Sequence, residues 1–148
     1  AVVASNERRK RAMGRKVVQA LGGEAAHGKT VGVLGLTFKA NTDDMRDSPA
    51  IAIVQALQDA GIRVRAHDPE GMDQARQVLE NVTYCDEPYS ALDGAHAAVI
   101  VTEWDAFRAL DMERVKALLA QPLLVDLRNL YSRTDLERMG FTYLGVGR

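Results

Sequence analysis

Cysteine is nearly missing from this sequence: Cys85 is the single one among 148 residues. An internal disulfide framework is therefore excluded, and the composition fits a reducing, cytoplasmic compartment. A surplus of either charge is missing too. Lys and Arg number 19 against 20 Asp and Glu, a formal net charge of −1. That balance gives no basis for bulk attraction to nucleic acid or to an anionic membrane. No apolar run approaches the roughly 18 residues of a membrane-spanning helix, and no signal-peptide pattern opens the chain. The histidines, His27, His67 and His96, have no metal-ligand spacing and no second cysteine to join them. Neither a Gly-x-Ser-x-Gly elbow nor a P-loop occurs. The sequence also lacks an initiator Met, and Ala1 opens partway through an element. The expectation is a piece excised from a longer protein; the alternative is a mature chain with a processed N-terminus.

What is present is an alternation of short apolar runs with helical patterns. Residues 5–21 read as an amphipathic helix, with Ala12/Met13, Val17 and Ala20/Leu21 at three- and four-residue steps. Its Arg8, Arg9, Lys10, Arg11, Arg15 and Lys16 are read as a solvated face rather than a phosphate site, because the chain as a whole is not basic. Gly22-Gly23 ends this helix, and Glu24–Lys29 reads as a polar linker to the domain proper. Strands are expected at Thr30–Leu36, Ile62–His67, Val82–Cys85, Ala97–Thr102, Leu123–Leu127 and Phe141–Val146. The helices expected between them are Pro49–Ala60, Met72–Glu80, Tyr89–Leu92, Trp104–Leu110 with Met112–Ala120, and Thr134–Met139. Val99-Ile100-Val101 and Leu123-Leu124-Val125 are continuous apolar runs, the pattern of strands covered on both faces. The expected fold is a Rossmann-like α/β three-layer sandwich, with a mostly parallel sheet of about six strands behind a connector helix.

The stretch Thr37–Pro49 joins the first strand to its helix and exceeds the usual βα loop of about 2–6 residues. Loops of this kind lie at the carboxyl edge of a parallel sheet, where ligands bind. Lys39 is a compact cation suited to a phosphate or a developing oxyanion. Arg46 offers a planar fork for bidentate phosphate contact. Phe38 offers a flat surface to a base or sugar, and Asp43, Asp44 and Asp47 can orient the cations or bind ribose. The alternative is that these charges pair only with one another and Phe38 belongs to the core. Arg128, in Asp126-Leu127-Arg128-Asn129 at the end of the fifth strand, is expected at the same edge. Three cations from two strand ends make a site for a polyanion such as a nucleotide.

Other positions read as structural. The first turn carries no Gly-x-Gly-x-x-Gly, and Gly32-Val33-Leu34-Gly35 lies within the strand. A pyrophosphate on this domain's own first helix is therefore not expected. Asp68 reads as a turn or cap residue and His67 as a strand-end histidine. Trp104 and Phe107 read as a seal on the core, and Cys85 as a small buried hydrophobe at a strand end.

Taken in order, the motifs Gly35-Leu36-Thr37-Phe38-Lys39, Asn41 through Pro49, His67-Asp68-Pro69, Thr102-Glu103-Trp104 and Asp126-Leu127-Arg128-Asn129 closely resemble the UDP-glucose 6-dehydrogenase family. The closing Gly140-Phe141-Thr142-Tyr143 is similar to bacterial members, while His67 stands where many have Tyr. The family oxidises UDP-glucose to UDP-glucuronate with two molecules of NAD, through a cysteine thiohemiacetal. The resemblance implies that residues 24–148 are the C-terminal UDP-binding domain and residues 1–23 the end of the central connector helix. It implies that Phe38, Lys39 and Arg128 contact the UDP-sugar and that Arg46 reaches an NAD held mainly by an N-terminal domain. It implies no catalytic residue and no metal here, a cytoplasmic location, no nucleic-acid or membrane partner, and a homodimer or higher homo-oligomer for the whole protein. Two alternatives stand beside it. One is the same domain of a GDP-mannose or UDP-N-acetylmannosamine dehydrogenase; the other is a stand-alone, non-catalytic nucleotide-binding module.

Overall fold

Parallel strands need crossover connections, and this chain supplies a helical one between each pair of consecutive strands. The computed structural model describes residues 2–46 and 48–146, with side chains from Arg8 onward. A first helix, α1, spans Val2–Ala20, followed by a 3₁₀ turn at Gly23–Ala26. Strands β1 to β6 are Thr30–Leu34, Arg63–His67, Val82–Tyr84, Ala97–Ile100, Leu123–Asp126 and Thr142–Gly145. Helices α2 to α7 are Pro49–Asp59, Met72–Arg76, Pro88–Leu92, Asp105–Arg108, Met112–Leu118 and Arg133–Arg138. The strands form one sheet in the order β3-β2-β1-β4-β5-β6, and every pairing is parallel. After β3 the chain crosses back to the other side of β1, so the order reverses between β1 and β4. In folds of this kind such a reversal marks the crevice at the carboxyl edge, here between β1 and β4.

Side-chain alternation along each strand feeds two cores. Val31 and Val33 of β1, Val99 of β4 and Val125 of β5 face α1, α2 and α3, with Val17, Ile53, Val54, Leu57 and Ala75. Leu34, Ala98, Ile100 and Leu124 face α4 to α7, with Leu92, Phe107, Val115 and Leu136. Each fully buried Leu, Ile, Val or Phe contributes roughly 1.5–3 kcal/mol relative to exposure. Gly32 points at the second face, where an added Cβ would lie 2.5 Å from the Ala91 carbonyl oxygen. The glycine therefore serves the close approach of α4, not a phosphate turn.

The sheet is entirely parallel, and its strands end sooner than their apolar runs. β1 stops at Leu34 rather than Leu36 because Gly35 takes φ 98° and turns the chain. β4 stops at Ile100, and Thr102 turns its hydroxyl to the Thr37 carbonyl at 2.8 Å. α3 ends at Arg76 instead of Glu80, and Asn81 then adopts φ 60° ahead of β3. Part of the expected polar linker is the 3₁₀ turn, with Ala26 buried in the first core.

Ser48 caps α2 and Pro49 opens it. The Ser48 hydroxyl accepts from the Ala50 amide at 3.2 Å and donates to the Leu36 carbonyl at 2.7 Å. One buried side chain thus caps the helix and closes the base of the long loop. Ser48→Ala is expected to destabilise the protein by about 2–3 kcal/mol, from a lost cap and an orphaned buried carbonyl. Urea denaturation checks this; an unchanged midpoint contradicts it.

Candidate functional site

The long loop, residues 35–48, leaves β1 at the crevice and is anchored on both cores. Met45 is buried in the first, and Ala40 packs against the second. The Phe38 amide donates to the Asp44 carbonyl at 2.8 Å, and Asn41 takes φ 66°, a region asparagine tolerates. Between the anchors the loop presents the candidate site residues. Phe38 is 46% exposed, which removes the expectation that it belongs to the core. Lys39 is exposed, and its ammonium makes no hydrogen bond or ion pair among the described residues.

Arg46 behaves differently. Its guanidinium holds both Asp44 carboxylate oxygens, Nε to Oδ1 and Nη2 to Oδ2, each at 3.1 Å. The Arg46 side-chain and backbone hydrogen bonds keep the Asp44 carboxyl below its ordinary range, with a smaller coulombic contribution from Lys39. Arg46 and Asp44 line a groove of about 600 Å³ with Thr42, Asp43, Ile51 and Val78 among its walls. Gln74 donates to Asp43 across it at 3.4 Å. Neither Lys39 nor Arg128 lines this groove. Asp47 lies outside the described residues.

Arg128 stands past the end of β5, at the carboxyl edge as expected. Its amide donates to Asp126 Oδ1 at 3.2 Å, and its Nε pairs with Glu103, which follows β4. Asp126 is fully buried, and its second oxygen accepts from the Tyr131 amide and the Tyr143 hydroxyl, each at 2.8 Å. The carboxyl edge therefore offers one unpaired ammonium on the β1 loop. It also offers two guanidiniums, each bearing a carboxylate partner, on either side of it. Because the sheet order is β2-β1-β4-β5, Arg128 approaches from beyond β4 and the Arg46 groove lies toward α2 and α3.

Asp68, expected as a turn residue, does more. Its Oδ1 accepts from the Glu70 and Gly71 amides at 2.9 and 2.7 Å, the turn role. Its Oδ2 accepts from the Leu36 amide at 2.7 Å, and from the Thr37 amide and the Trp104 indole N–H, each at 3.2 Å. The Asp68-Pro69-Glu70-Gly71 spacing signals the turn; the contacts to Leu36 and Trp104 leave no local signal. Thr37, Thr102 and Glu103 stood within the motifs but were given no individual role.

Trp104 and Phe107 are buried as expected, and His67 is buried at the end of β2. Cys85, expected as buried, is only half-buried because β3 ends at Tyr84. His67 places Nδ1 2.8 Å from the Cys85 carbonyl while packing edge-on to Phe107. Burial pushes the Cys85 thiol up, so it is a poor nucleophile. Among the described residues, no group of three or more His, Cys, Asp or Glu is placed to hold a metal ion. None of their helices is long and apolar enough to cross a membrane. The Ser48 hydroxyl takes the Ala50 amide at the start of α2, and Gly32 serves the approach of α4, so neither forms a glycine-rich phosphate turn.

A sheet that reverses at β1/β4 defines a doubly wound α/β domain, a fold that binds its ligands at the carboxyl edge of the strands. The chain belongs to the UDP-glucose/GDP-mannose dehydrogenase family, whose UDP binding domain it matches over residues 32–133. It is 58% identical over 146 residues to the UDP-glucose 6-dehydrogenase of Rhizobium meliloti, covering 99% of this chain and 33% of that protein. Among solved structures, it resembles a UDP-glucose dehydrogenase from Pyrobaculum islandicum with a TM-score of 0.71 at 37% identity. That match covers 84% of this chain and 27% of the other. An NDP-N-acetyl-D-galactosaminuronic acid dehydrogenase from Methanosarcina mazei gives a TM-score of 0.79 at 25% identity, covering 96% and 29%. The chain spans about a third of the length of the curated relatives it matches.

Proposed function

We propose that this chain is the UDP-binding, C-terminal portion of an NAD-dependent UDP-glucose 6-dehydrogenase that converts UDP-glucose to UDP-glucuronate in two hydride transfers. The observation that carries the reading is the exposed Phe38–Lys39 pair at the β1/β4 crevice. Lys39 meets the diphosphate, Phe38 lies against the nucleotide sugar, and Arg128 adds a contact from β5. Arg46, held by Asp44 on the far side of the loop, reaches an NAD bound mainly by another domain. Holding UDP here orients the sugar for chemistry carried out elsewhere, so remote binding energy serves the reacting carbon. Cys85 offers no alternative nucleophile, and the isolated chain is accordingly read as inactive. The single cysteine suits a cytoplasmic setting, and the whole protein is read as a homodimer or higher homo-oligomer.

A second reading draws on the Methanosarcina neighbour, a dehydrogenase named for a different sugar. On this reading a nucleoside-diphosphate site is common to such enzymes, and the sugar is selected largely outside this chain. Steady-state oxidation of UDP-glucose, UDP-N-acetylmannosamine and GDP-mannose by the intact protein separates the two. The highest kcat/KM is expected with UDP-glucose; a clear preference for another sugar overturns that assignment. NADH formation by the isolated chain overturns the division of labour.

A further inference from the structure

We propose that Asp68 is a positioning residue for substrate binding: its buried carboxylate fixes the ends of β1, β2 and β4 together and thereby aims Lys39 and Phe38. This rests on the reading of those two residues as substrate contacts.

Asp68 is fully buried, and no cation pairs with it among the described residues. All of its hydrogen-bond partners there are donors. Oδ1 holds the turn after β2 through the Glu70 and Gly71 amides, at 2.9 and 2.7 Å. Oδ2 holds the chain leaving β1 through the Leu36 and Thr37 amides, at 2.7 and 3.2 Å. The same oxygen takes the Trp104 indole N–H, which follows β4, at 3.2 Å.

The Thr37 hydroxyl sits 3.3 Å from Oδ2 and 3.0 Å from the Lys39 carbonyl, so its single proton serves one or the other. The path from the carboxylate to the functional loop is therefore one residue long. Thr37 itself is fully buried, its carbonyl is held by Thr102, and the next two residues emerge into the crevice. Backbone that leaves a strand without ladder partners needs another acceptor, and a carboxylate is the stronger one.

This chemistry is specific to a carboxylate. Asparagine has the same shape, but one oxygen becomes an NH₂. If the NH₂ replaces Oδ1, it meets the Glu70 and Gly71 amides. If it replaces Oδ2, it meets Leu36, Thr37 and Trp104. Either placement sets N–H against N–H and releases one of the two clamps.

The test is steady-state kinetics of the intact protein with UDP-glucose at saturating NAD. The variants are Asp68→Asn, the milder isosteric Thr37→Val, Lys39→Ala, and Lys39→Ala combined with each of the first two. Asp68→Asn is expected to raise KM about tenfold, the scale of one lost charge-assisted hydrogen bond, with a smaller change in kcat. Thr37→Val moves KM in the same direction by roughly threefold, and keeps the test alive if Asp68→Asn does not fold. Each substitution raises KM less in the Lys39→Ala background than in the parent, because it acts in part through that side chain and only the Phe38 share remains. A raised KM in Lys39→Ala with an unchanged KM in Asp68→Asn and Thr37→Val overturns the positioning role alone. Fully additive effects do the same. An unchanged KM in Lys39→Ala overturns the substrate-site reading beneath it.

Discussion

Replacing Lys39 by alanine is expected to raise the KM for UDP-glucose by about 10- to 100-fold in the intact protein, the range of a hydrogen bond to a charged group. The thermal stability is expected to stay at the parent value. The separation follows from the geometry. Lys39 is exposed and makes no hydrogen bond or ion pair among the described residues, so truncation removes no internal bond. On the proposed function, the ammonium acts only when a dianionic diphosphate enters the crevice. Because that contact is present in ground and transition states alike, KM rises while kcat changes less. Steady-state kinetics beside a thermal melt provide the check. An unchanged KM removes Lys39 from the site, and a large loss of stability shows a structural role instead.

Gly35→Ala carries the largest expected effect on the fold, a destabilisation of about 3–5 kcal/mol. Gly35 adopts φ 98° where β1 turns into the loop. An added Cβ there would lie 2.5 Å from both the Thr102 backbone nitrogen and its Cβ, and 2.6 Å from its hydroxyl. Backbone strain of about 1–3 kcal/mol is joined by overpacking of similar size. The clash is with backbone of the neighbouring strand end, so no side-chain rotation relieves it. Thr102 also holds the Thr37 carbonyl, so the displacement reaches Phe38 and Lys39. Gly28→Ala is the control: Gly28 takes φ 85°, yet an added Cβ meets nothing within 4 Å. Urea denaturation of both variants separates strain from clash. A Gly35→Ala midpoint no lower than that of Gly28→Ala contradicts the close packing of the two strand ends.

The comparison of these two glycines shows what a sequence can and cannot reveal. Both occur at turns, and both positions suit glycine. Only the structure places Gly35 against Thr102, because β4 pairs with β1 across a crossover. Strand–helix alternation was legible because buried parallel strands leave continuous apolar runs, as in Val99–Val101. Strand ends were less so: Leu36, Val101 and Leu127 are buried outside the ladders, and apolar character alone cannot distinguish the two. Within the loop, the Arg46–Asp44 pair lies two residues apart and was among the alternatives open from sequence. Arg128–Glu103 and Asp68–Trp104 join residues that only the fold makes neighbours. The carboxylate that organises the strand ends was therefore legible as a turn residue and nothing more.

The loop's separate tasks rest on one arrangement, with Lys39 free at the crevice and Arg46 held by Asp44 beside the α2–α3 groove. The most direct measurement is a crystal structure of the intact protein with UDP bound. The diphosphate is expected over the carboxyl edge of β1 and β4, in hydrogen-bond contact with the Lys39 ammonium and with Phe38 against the ligand. A diphosphate bound away from the loop between Gly35 and Ser48, with Lys39 still in solvent, would contradict the account.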